Sequence, residues 1–329
     1  MRIAVDGMGG DYAPQVVVEG AVQAASEYGF DIEIVGERSK IEAELSKFGP
    51  VSPNIHIRHA SEMIDMHEPG AASVRSKKDS SICVAVELAK EGKVDAVVSA
   101  GNTAAFVSAA MISLKRLEGV ERPGIAILLP SLKGPVLMID VGATINPEPE
   151  HLLMFGLMGD VYSKHILNKK RPTIGLLNIG EESTKGPEFL KETHRLLELS
   201  KLNFLGNAEG KDIFAGKFDV VVCDGYTGNV VLKVAESIAD TIAIFIKKEL
   251  KKGPLTLLGG ILSSPAYDAM KKQIDYAEYG GAPLLGVNGI CIISHGRSTA
   301  KAIKNAIRVA GEFVEHQVNQ HIMEAIKKF

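Results

Sequence analysis

The sequence predicts an α/β fold built on a mostly parallel sheet. Short apolar stretches recur along the chain, each runs into a turn rich in Gly, Asn, Ser, Thr or Asp, and each turn precedes a helical pattern. Alternating strands and helices are typical of a parallel sheet that helices cover on both faces. The composition agrees, because 46% of the residues are apolar and only 5% are aromatic, which suits aliphatic helix-on-sheet packing.

The strand, turn and helix pattern occurs in five copies, and we find no linker between them, so we expect one α/β unit over residues 1–329. Because the carboxyl ends of parallel strands meet at one edge of a sheet, we expect the five turns to share an edge and form a ligand site. The copies begin with RIAVDGMGGD at residue 2, VDAVVSAGNT at 94, VLMIDVGATINP at 136, PTIGLLNIGEE at 172 and FDVVVCDGYTGN at 218.

The second copy, VDAVVSAGNTAAFVSAA, shows what such a turn offers. Gly101 permits close approach of a ligand to the backbone, and the free N–H groups at a helix start attract anions. Asn102 or Thr103 can donate to that ligand. Either residue can equally be a plain helix cap, and for one isolated turn the cap is the favoured interpretation.

Several familiar signatures fail. Tyr12 stands where a dinucleotide fingerprint needs its third glycine, and no P-loop occurs. Ser99 and Ser294 lack the first glycine of a nucleophile elbow. His56 and His59 point to opposite faces of a strand, so we expect no metal. A net charge of -3 and the absence of Trp disfavour nucleic acid.

Cys83, Cys223 and Cys291 lie far apart and form no paired motif, which is typical of a reduced, cytoplasmic protein. The start, MRIAVDGMGGD, has no apolar leader core. Cys223 stands beside Asp224, whose charge raises a thiol pKa, so we expect a packing residue rather than a nucleophile.

Lys185 precedes Gly186 and Pro187 at a predicted helix start, where the helix dipole disfavours a cation. A solvated lysine can occur there. The position of Lys185 is better explained if its side chain binds an anion that is held at the same helix end.

The motifs in and around these turns resemble those of the bacterial phosphate acyltransferases of phospholipid synthesis. The resemblance extends over essentially the whole chain. The motifs that carry the resemblance stand in the family's order. They are D-x-M-G-G-D (6–11), S-A-G-N-T (99–103), D-V-G-A (140–143), L-L-N-I-G-E-E with K-G (176–186), G-N-x-E (206–209), C-D-G-Y-T-G-N (223–229), Y-G-G-A (279–282) and H-G (295–296). Ala104 and Thr144 stand where the family usually has Gly and Asn.

The resemblance implies transfer of a long acyl chain from acyl carrier protein to inorganic phosphate, without a cofactor. It implies the three-layer architecture of phosphotransacetylases and isocitrate/isopropylmalate-dehydrogenase-like enzymes, as a homodimer. The product, an acyl phosphate, would pass to a membrane acyltransferase. Two alternatives stay open: a phosphotransacetylase that uses coenzyme A thioesters, and a carrier-binding scaffold without activity.

The same resemblance implies the site residues. The expected catalytic residues are Lys185, Asn229, Asp224 and Asn102. Lys185 is expected to neutralise phosphate, and Asp224 or Glu182 is expected to orient the Lys185 side chain. The expected phosphate and substrate set is Asp6, Gly9, Gly10, Ser99, Gly101, Thr103, Gly180, Glu182, Gly186, Asn207, Thr227 and Gly228.

Two further segments are predicted to meet partners. Arg75, Lys77 and Lys78 are expected to dock the acidic carrier. Residues 247–272 are predicted to be a protruding hairpin, broken by Gly253, Pro254, Gly259 and Gly260. The apolar tip of this hairpin is predicted to contact either the inner face of an anionic membrane or a second subunit. The tip residues are Leu255, Leu257, Leu258, Ile261 and Leu262.

The last segment, from Ser298 onward, is predicted to be one amphipathic helix without a chemical role. Its apolar stripe includes Ile303, Ile307, Val314 and Ile322.

Overall fold

The computed structural model describes residues 1–50, 52–274 and 279–329. Within these ranges eleven strands form one sheet. Their bounds are β1 Arg2–Asp6, β2 Asp31–Gly36, β3 Ile55–His59, β4 Ala96–Ser99, β5 Gly124–Leu129, β6 Val136–Ile139, β7 Ile174–Leu177, β8 Phe204–Ala208, β9 Val220–Val222, β10 Ala282–Leu285 and β11 Ile290–Ile293.

Helices follow most of the strands. Their bounds are α1 Gln15–Tyr28, α2 Arg38–Leu45, α3 Gly70–Ser76, α4 Ser81–Lys90, α5 Thr103–Ser113, α6 Pro149–His165, α7 Glu188–Leu199, α8 Gly210–Ala215, α9 Gly225–Leu250, α10 Pro254–Leu262, α11 Ser264–Ile274, α12 Ala300–Glu315 and α13 Val318–Lys328. A short 3-10 helix covers Ser46–Phe48.

The sheet is mostly parallel, as predicted, and is buried on both faces. Its strand order is β3-β2-β1-β4-β11-β10-β5-β6-β9-β7-β8. In β1 the side chains of Ile3 and Val5 belong to one apolar core and that of Ala4 to another, because successive residues of a strand face opposite sides. The predicted three layers are therefore present.

The expectation that all five turns share an edge is wrong. Strand β10 pairs antiparallel with β11 and with β5, and β5 pairs antiparallel with β6. These central strands reverse the direction of the sheet, so β6, β7, β8 and β9 run opposite to β1 and β4. The turns after β1 and β4 lie at one edge, and those after β6, β7 and β9 lie at the other.

The carboxyl-terminal segment is two helices and not the predicted single one. Gln317 adopts a left-handed conformation, with φ of 48°, between α12 and α13. The stripe continues across this break, since Ile303, Ile307, Val318 and Ile322 are all buried. Amphipathic periodicity alone did not reveal the kink.

Residues 225–274 form three consecutive helices, α9 to α11, that contribute little to the core. In α9 the buried residues are Gly225 and Gly228, and α10 has none. The predicted break falls between Leu250 and Pro254. The prediction that Gly259 and Gly260 break the helix is wrong: both lie within α10, where Gly260 rests against Leu250 of α9.

Candidate functional site

The turns after β1 and β4 pack into a closed group, here called the buried cluster: Asp6, Gly9, Ser99, Gly101 and Asn102. Ser99 Oγ donates to Asp6 Oδ2 at 2.7 Å and accepts from the Gly101 N–H at 3.1 Å. Burial raises the pKa of Asp6. A Cβ on Gly9 would overlap the Asp6 carboxylate and the Gly101 backbone, so only glycine fits there.

Asn102 caps helix α5, as the simpler interpretation of this turn predicted. Its side-chain oxygen accepts from the Ala105 N–H at 3.0 Å, and its Nδ2 donates to the carbonyls of Asp65, Met66 and Glu68. Both ends of the amide thus bond inside the protein. A catalytic role for Asn102 stays a prediction.

Two other predicted residues border the buried cluster. Thr103 is the first residue of α5 and is exposed. Gly10 has φ of 104°, which favours glycine, and the next N–H, that of Asp11, donates to the Gly296 carbonyl at 2.8 Å. This bond joins the turn after β1 to the segment after β11.

At the opposite edge, Asp140 organises the turn after β6. Its carboxylate accepts from the N–H groups of Ile125, Gly142, Ala143 and Thr144 at 2.6 to 3.0 Å. Burial raises the pKa of this carboxyl. Asp140 lies in the D-V-G-A motif but is not among the site residues predicted from the sequence.

Asp224 caps helix α9 at the same edge. It accepts from the Thr227 N–H at 2.8 Å and from the Thr227 hydroxyl at 2.6 Å. Gly228 lies against the Asp140 carbonyl and the Cys223 sulfur, and a side chain there would overlap both. One residue further on, Asn229 is exposed. The start of α9 is therefore fixed by Asp224 and Gly228 and presents Asn229 outward.

The thiol of Cys223 is a packing group, as predicted. It is 1% exposed and donates to the Asp140 carbonyl at 3.2 Å. Burial, together with the charges of Asp140 and Asp224, raises the pKa of this thiol well above its ordinary value. It is not ionised near neutral pH.

Two amide side chains hold the loop that carries Lys185. Asn178 Nδ2 donates to the Lys185 carbonyl at 3.1 Å, and Asn207 Nδ2 donates to the Glu182 carbonyl at 2.8 Å. His194 Nδ1 lies 3.0 Å from Asn207 Oδ1. Gly186 has φ of 84° and packs against the Asn178 side chain, since a Cβ there would lie 2.6 Å from Asn178 Oδ1.

Lys185 itself is exposed, and within residues 1–50, 52–274 and 279–329 its ammonium forms no ion pair. The side chains of Glu182 and Lys185 both lie over Gly180, because a Cβ there would be 2.9 Å from Glu182 Oε2 and 3.1 Å from Lys185 Cγ. Glu182 is thus beside the lysine that it was predicted to orient. Asp224 is the other residue that was predicted to orient Lys185, and its side chain accepts hydrogen bonds from Thr227.

Strand register brings the Lys185 loop next to the start of α9. Leu176 of β7 is aligned with Val222 of β9, so Asn178 and Asp224 each come two residues after an aligned pair on neighbouring strands. The predicted residues that follow these two strands are here called the open cluster: Glu182 and Lys185 on the loop after β7, and Asp224, Thr227 and Asn229 at the start of α9.

Helix α9 connects the two edges. Lys233 Nζ lies 3.4 Å from Nε2 of His295, which follows β11. Lys233 stands eight residues after Gly225, or roughly 12 Å along the helix. Neither Lys233 nor His295 is among the site residues predicted from the sequence, although His295 belongs to the H-G motif.

The three predicted carrier-docking residues differ in what they already bind. Lys77 Nζ lies 2.6 Å from Glu68 and donates to the Met63 carbonyl at 3.0 Å. Arg75, on α3, and Lys78, just after it, are both exposed. Lys77 therefore differs from Arg75 and Lys78, because its ammonium is already bonded within the protein.

The predicted tip residues on α10 are all exposed: Leu255, Leu257, Leu258, Ile261 and Leu262, with Leu255 at 82%. In the ranges that the structure covers, no helix is long and apolar enough to cross a membrane. Those ranges also hold no group of three His, Cys, Asp or Glu side chains able to bind a metal ion.

Comparison with known proteins assigns the class of this molecule. A family model described as fatty acid synthesis protein matches residues 1–321. A phosphate acyltransferase from Geotalea daltonii is 48% identical over 328 residues, covering 100% of this chain and 95% of the relative. A phosphate acyltransferase from Geobacter sulfurreducens is 49% identical over 327 residues, covering 99% and 94%.

The fold has a solved counterpart. A phosphotransacetylase from Streptococcus pyogenes is similar with a TM-score of 0.63 at 18% identity, over 99% of this chain and 94% of the other. That likeness concerns architecture, and it confirms the phosphotransacetylase-like fold. From its relatives, the chain belongs to the phosphate acyltransferase family. It is therefore an acyltransferase, and the scaffold alternative is set aside.

Proposed function

We propose that this enzyme transfers a long-chain fatty acyl group from acyl carrier protein to inorganic phosphate, giving an acyl phosphate for phospholipid synthesis. Family membership supports phosphate as the acceptor. The observation that carries the proposal is the exposed Lys185, whose loop is braced by the side chains of Asn178 and Asn207.

In the proposed step, an oxygen of HPO4²⁻ attacks the thioester carbonyl carbon. The new C–O bond forms, the C–S bond breaks, and the proton of the phosphate passes to the leaving thiolate. The products are an acyl phosphate dianion and a neutral thiol. A thiol with pKa of about 8.5 leaves readily, so no catalytic triad is needed.

The protein then has two tasks, which are to hold phosphate against the thioester and to stabilise the oxyanion that develops. We assign the first to the Lys185 ammonium, oriented by Glu182. We assign the second to Asn229, which is exposed on the first turn of α9. Thr227 supports that turn, because its N–H and its hydroxyl both donate to Asp224. Asp224 acts by fixing that turn.

The carrier protein is acidic in this proposal and meets a basic patch. We assign docking to Arg75 and Lys78, which are exposed. Lys77 contributes indirectly, because its ammonium already bonds to Glu68 and so holds α3 to the preceding loop.

We further propose a homodimer that lies on the inner face of the membrane, where a membrane acyltransferase consumes the product. Apolar side chains at four-residue spacing along α9, Val230, Val234, Ile238 and Ile242, are each about half exposed and suit a second subunit. The leucines of α10, flanked by lysines, suit an anionic lipid surface.

The acyl donor is tested by trapping acyl phosphate with hydroxylamine. Equal concentrations of palmitoyl-acyl carrier protein and palmitoyl-coenzyme A are supplied with phosphate. We expect a higher kcat/KM with the carrier-bound donor. A clear preference for coenzyme A would support the phosphotransacetylase alternative, and no hydroxamate from either donor would refute the proposed reaction.

The tip is tested by replacing Leu257 and Leu258 with Glu. We expect release from anionic liposomes, while the dimer mass and the activity on soluble acyl carrier protein stay as in wild type. A matched control replaces Leu199 and Leu205, exposed leucines outside the hairpin, with Glu and should keep liposome binding. Dissociation to monomers, or wild-type sedimentation with liposomes, would contradict the membrane role.

A further inference from the structure

The two halves of the sheet meet at β10 and β5, and their pairing there is short. Within the described chain, the ladder between these strands ends at the aligned pair of Leu284 and Ile125. Beyond that pair, β10 continues with β11 and β5 continues with β6. Ala282 and Ile127 each come two residues past it, so they stand on either side of the line where the two halves part.

Side chains on this face of the sheet are less covered at that line than beside it. Ile127 is partly exposed, whereas Ile125 and Leu129, on the same face of β5, are each 4% exposed. Ala282 is partly exposed too, although Ile293, its partner on β11, is 8% exposed. Central strands of a helix-covered sheet are ordinarily buried on both faces. The helical cover is therefore incomplete over Ile127 and Ala282.

Helices α5 and α9 flank the uncovered place. Helix α5 packs on β11 and α9 packs on β6, and the strands between β11 and β6 are β10 and β5. Val107 and Met111 of α5 and Leu232 of α9 are partly exposed and pack against the same core as Ile127 and Ala282. We call the space among these five apolar side chains the apolar depression.

The apolar depression adjoins the proposed reaction site through α9. Leu232 comes three residues after Asn229, so the two side chains are neighbours on the helix surface, roughly 5 Å apart along its axis. The contact of Lys233 with His295, which follows β11, turns this side of α9 toward the β11 half of the sheet. The stripe assigned to a second subunit includes Val230. Residues two apart on a helix face different directions, so Leu232 lies outside that stripe.

We propose that the apolar depression holds the fatty acyl chain of the donor during transfer. The proposal rests on the proposed function and names the residues that select a long chain. A chain whose carbonyl lies beside Asn229 passes Leu232 and then covers Ile127 and Ala282, which removes apolar surface from water on both sides. An acetyl group ends before the depression and gains nothing from it.

Photolabelling locates the chain without turnover. Wild-type protein is mixed, in the absence of phosphate, with acyl carrier protein that bears a palmitoyl chain with a diazirine in its carbonyl-proximal half. After irradiation, labelled peptides are identified by mass spectrometry. We expect labels in β5, in α5 and in the first turns of α9. Labels confined to α10 or to the outward stripe of α9 would overturn the proposal.

Two substitutions in the floor of the depression test its effect on chain selection. Ala282→Leu fills space and should lower kcat/KM for palmitoyl-acyl carrier protein about tenfold, while the value for acetyl-acyl carrier protein stays within about twofold. Ile127→Thr keeps the β-branched shape that suits a strand and makes the floor polar, so it should act in the same direction. Urea denaturation establishes that each variant is folded.

Ala89→Leu is the matched control. Ala89 is another partly exposed alanine that packs against the same core, but it lies on α4, which covers β1 and β2. This variant should leave both kcat/KM values unchanged.

The proposal is overturned if the two floor variants are folded and change the palmitoyl and acetyl values equally, or change neither. An altered dimer mass with an unaltered ratio of the two values would assign the depression to a subunit contact instead. The proposed function fails separately, if wild-type enzyme forms no acyl phosphate from any donor. In that event photolabelling still decides whether the chain lies in the depression.

Discussion

The buried cluster and the open cluster are built from the same sequence pattern and differ in what their polar groups bind. In the buried cluster, Asp6 and Ser99 are 1% and 2% exposed and bond to each other. In the open cluster, the loop backbone is braced by Asn178 and Asn207, while the Lys185 side chain projects into solvent. The polar groups of the buried cluster bond to one another, whereas the open cluster exposes the charged side chain of Lys185.

The difference teaches that a Gly-rich turn at a strand end is not by itself a binding site. What decides is where its polar side chains find partners. Ser99 finds Asp6, which is 93 residues away in the chain, whereas Lys185 has no such partner among the described residues. We therefore expect substitutions in the buried cluster to lower stability and substitutions in the open cluster to lower the rate.

The largest effect is expected from Lys185→Ala. Removing one preorganised group that stabilises a developing charge costs on the order of 100-fold in rate. We expect that loss in kcat/KM for phosphate, with the unfolding midpoint in urea unchanged. The measurement is the initial rate of hydroxamate formation over a range of phosphate concentrations.

Lys191→Ala is the control for this prediction. Lys191 is a partly exposed lysine that pairs with Glu188 at the start of α7. It should keep wild-type kinetics. If Lys185→Ala were equally active, the open cluster would not be the phosphate site.

Ser99→Ala should act on stability. The substitution leaves the buried Asp6 carboxylate without one of its donors, which costs about 1–3 kcal/mol of the free energy of unfolding. Urea denaturation measures this loss. The KM for phosphate should stay within about threefold, because loss of a structural hydroxyl changes the substrate site only indirectly. A large rise in that KM in a stable variant would restore Ser99 to the phosphate site predicted from the sequence.

Asn207→Ala should reduce the rate by about tenfold, because the Lys185 loop loses the bond to the Glu182 carbonyl. The sharper test is a double-mutant cycle with Lys185→Ala. If Asn207 acts by positioning Lys185, its substitution should cost little once the lysine is absent. Additive losses would show an independent role for Asn207.

The smallest effect concerns acid pH. Bonds from Lys77, the Asp65 N–H and Ser73 lower the pKa of Glu68 to about 2. A carboxyl whose pKa is lowered by folding stabilises the native state above its unfolded pKa, about 4.3, and loses that contribution as pH falls toward 2. The loop at 62–69 should therefore lose hydrogen-exchange protection, corrected for intrinsic rates, over that interval.

Glu68→Gln is the matched variant for the acid effect. It should show reduced protection of the same loop already at neutral pH, with little further change on acidification. Equal protection of the variant and wild type at neutral pH would mean that Glu68 does not hold the loop.

The fold was predictable where local signals decide it. The apolar run and the Asn102 cap correctly predicted β4 and the start of α5, and alternation predicted a mostly parallel sheet. Strand direction depends on the pairing of β10 with β5, which no local pattern reveals. The same holds for the site. Lys185 had a local signal at a helix start, but the contact of Lys233 with His295 joins segments 62 residues apart.

The central claim is that phosphate itself attacks the thioester and that no side chain carries the acyl group. It is tested most directly by incubating the enzyme with palmitoyl-acyl carrier protein and isotopically labelled free carrier protein in the absence of phosphate. An acyl-enzyme would hand its acyl group to the labelled carrier. We predict no labelled palmitoyl-carrier protein without phosphate, and acyl phosphate as soon as phosphate is added. Acyl exchange into the labelled carrier without phosphate would contradict the account.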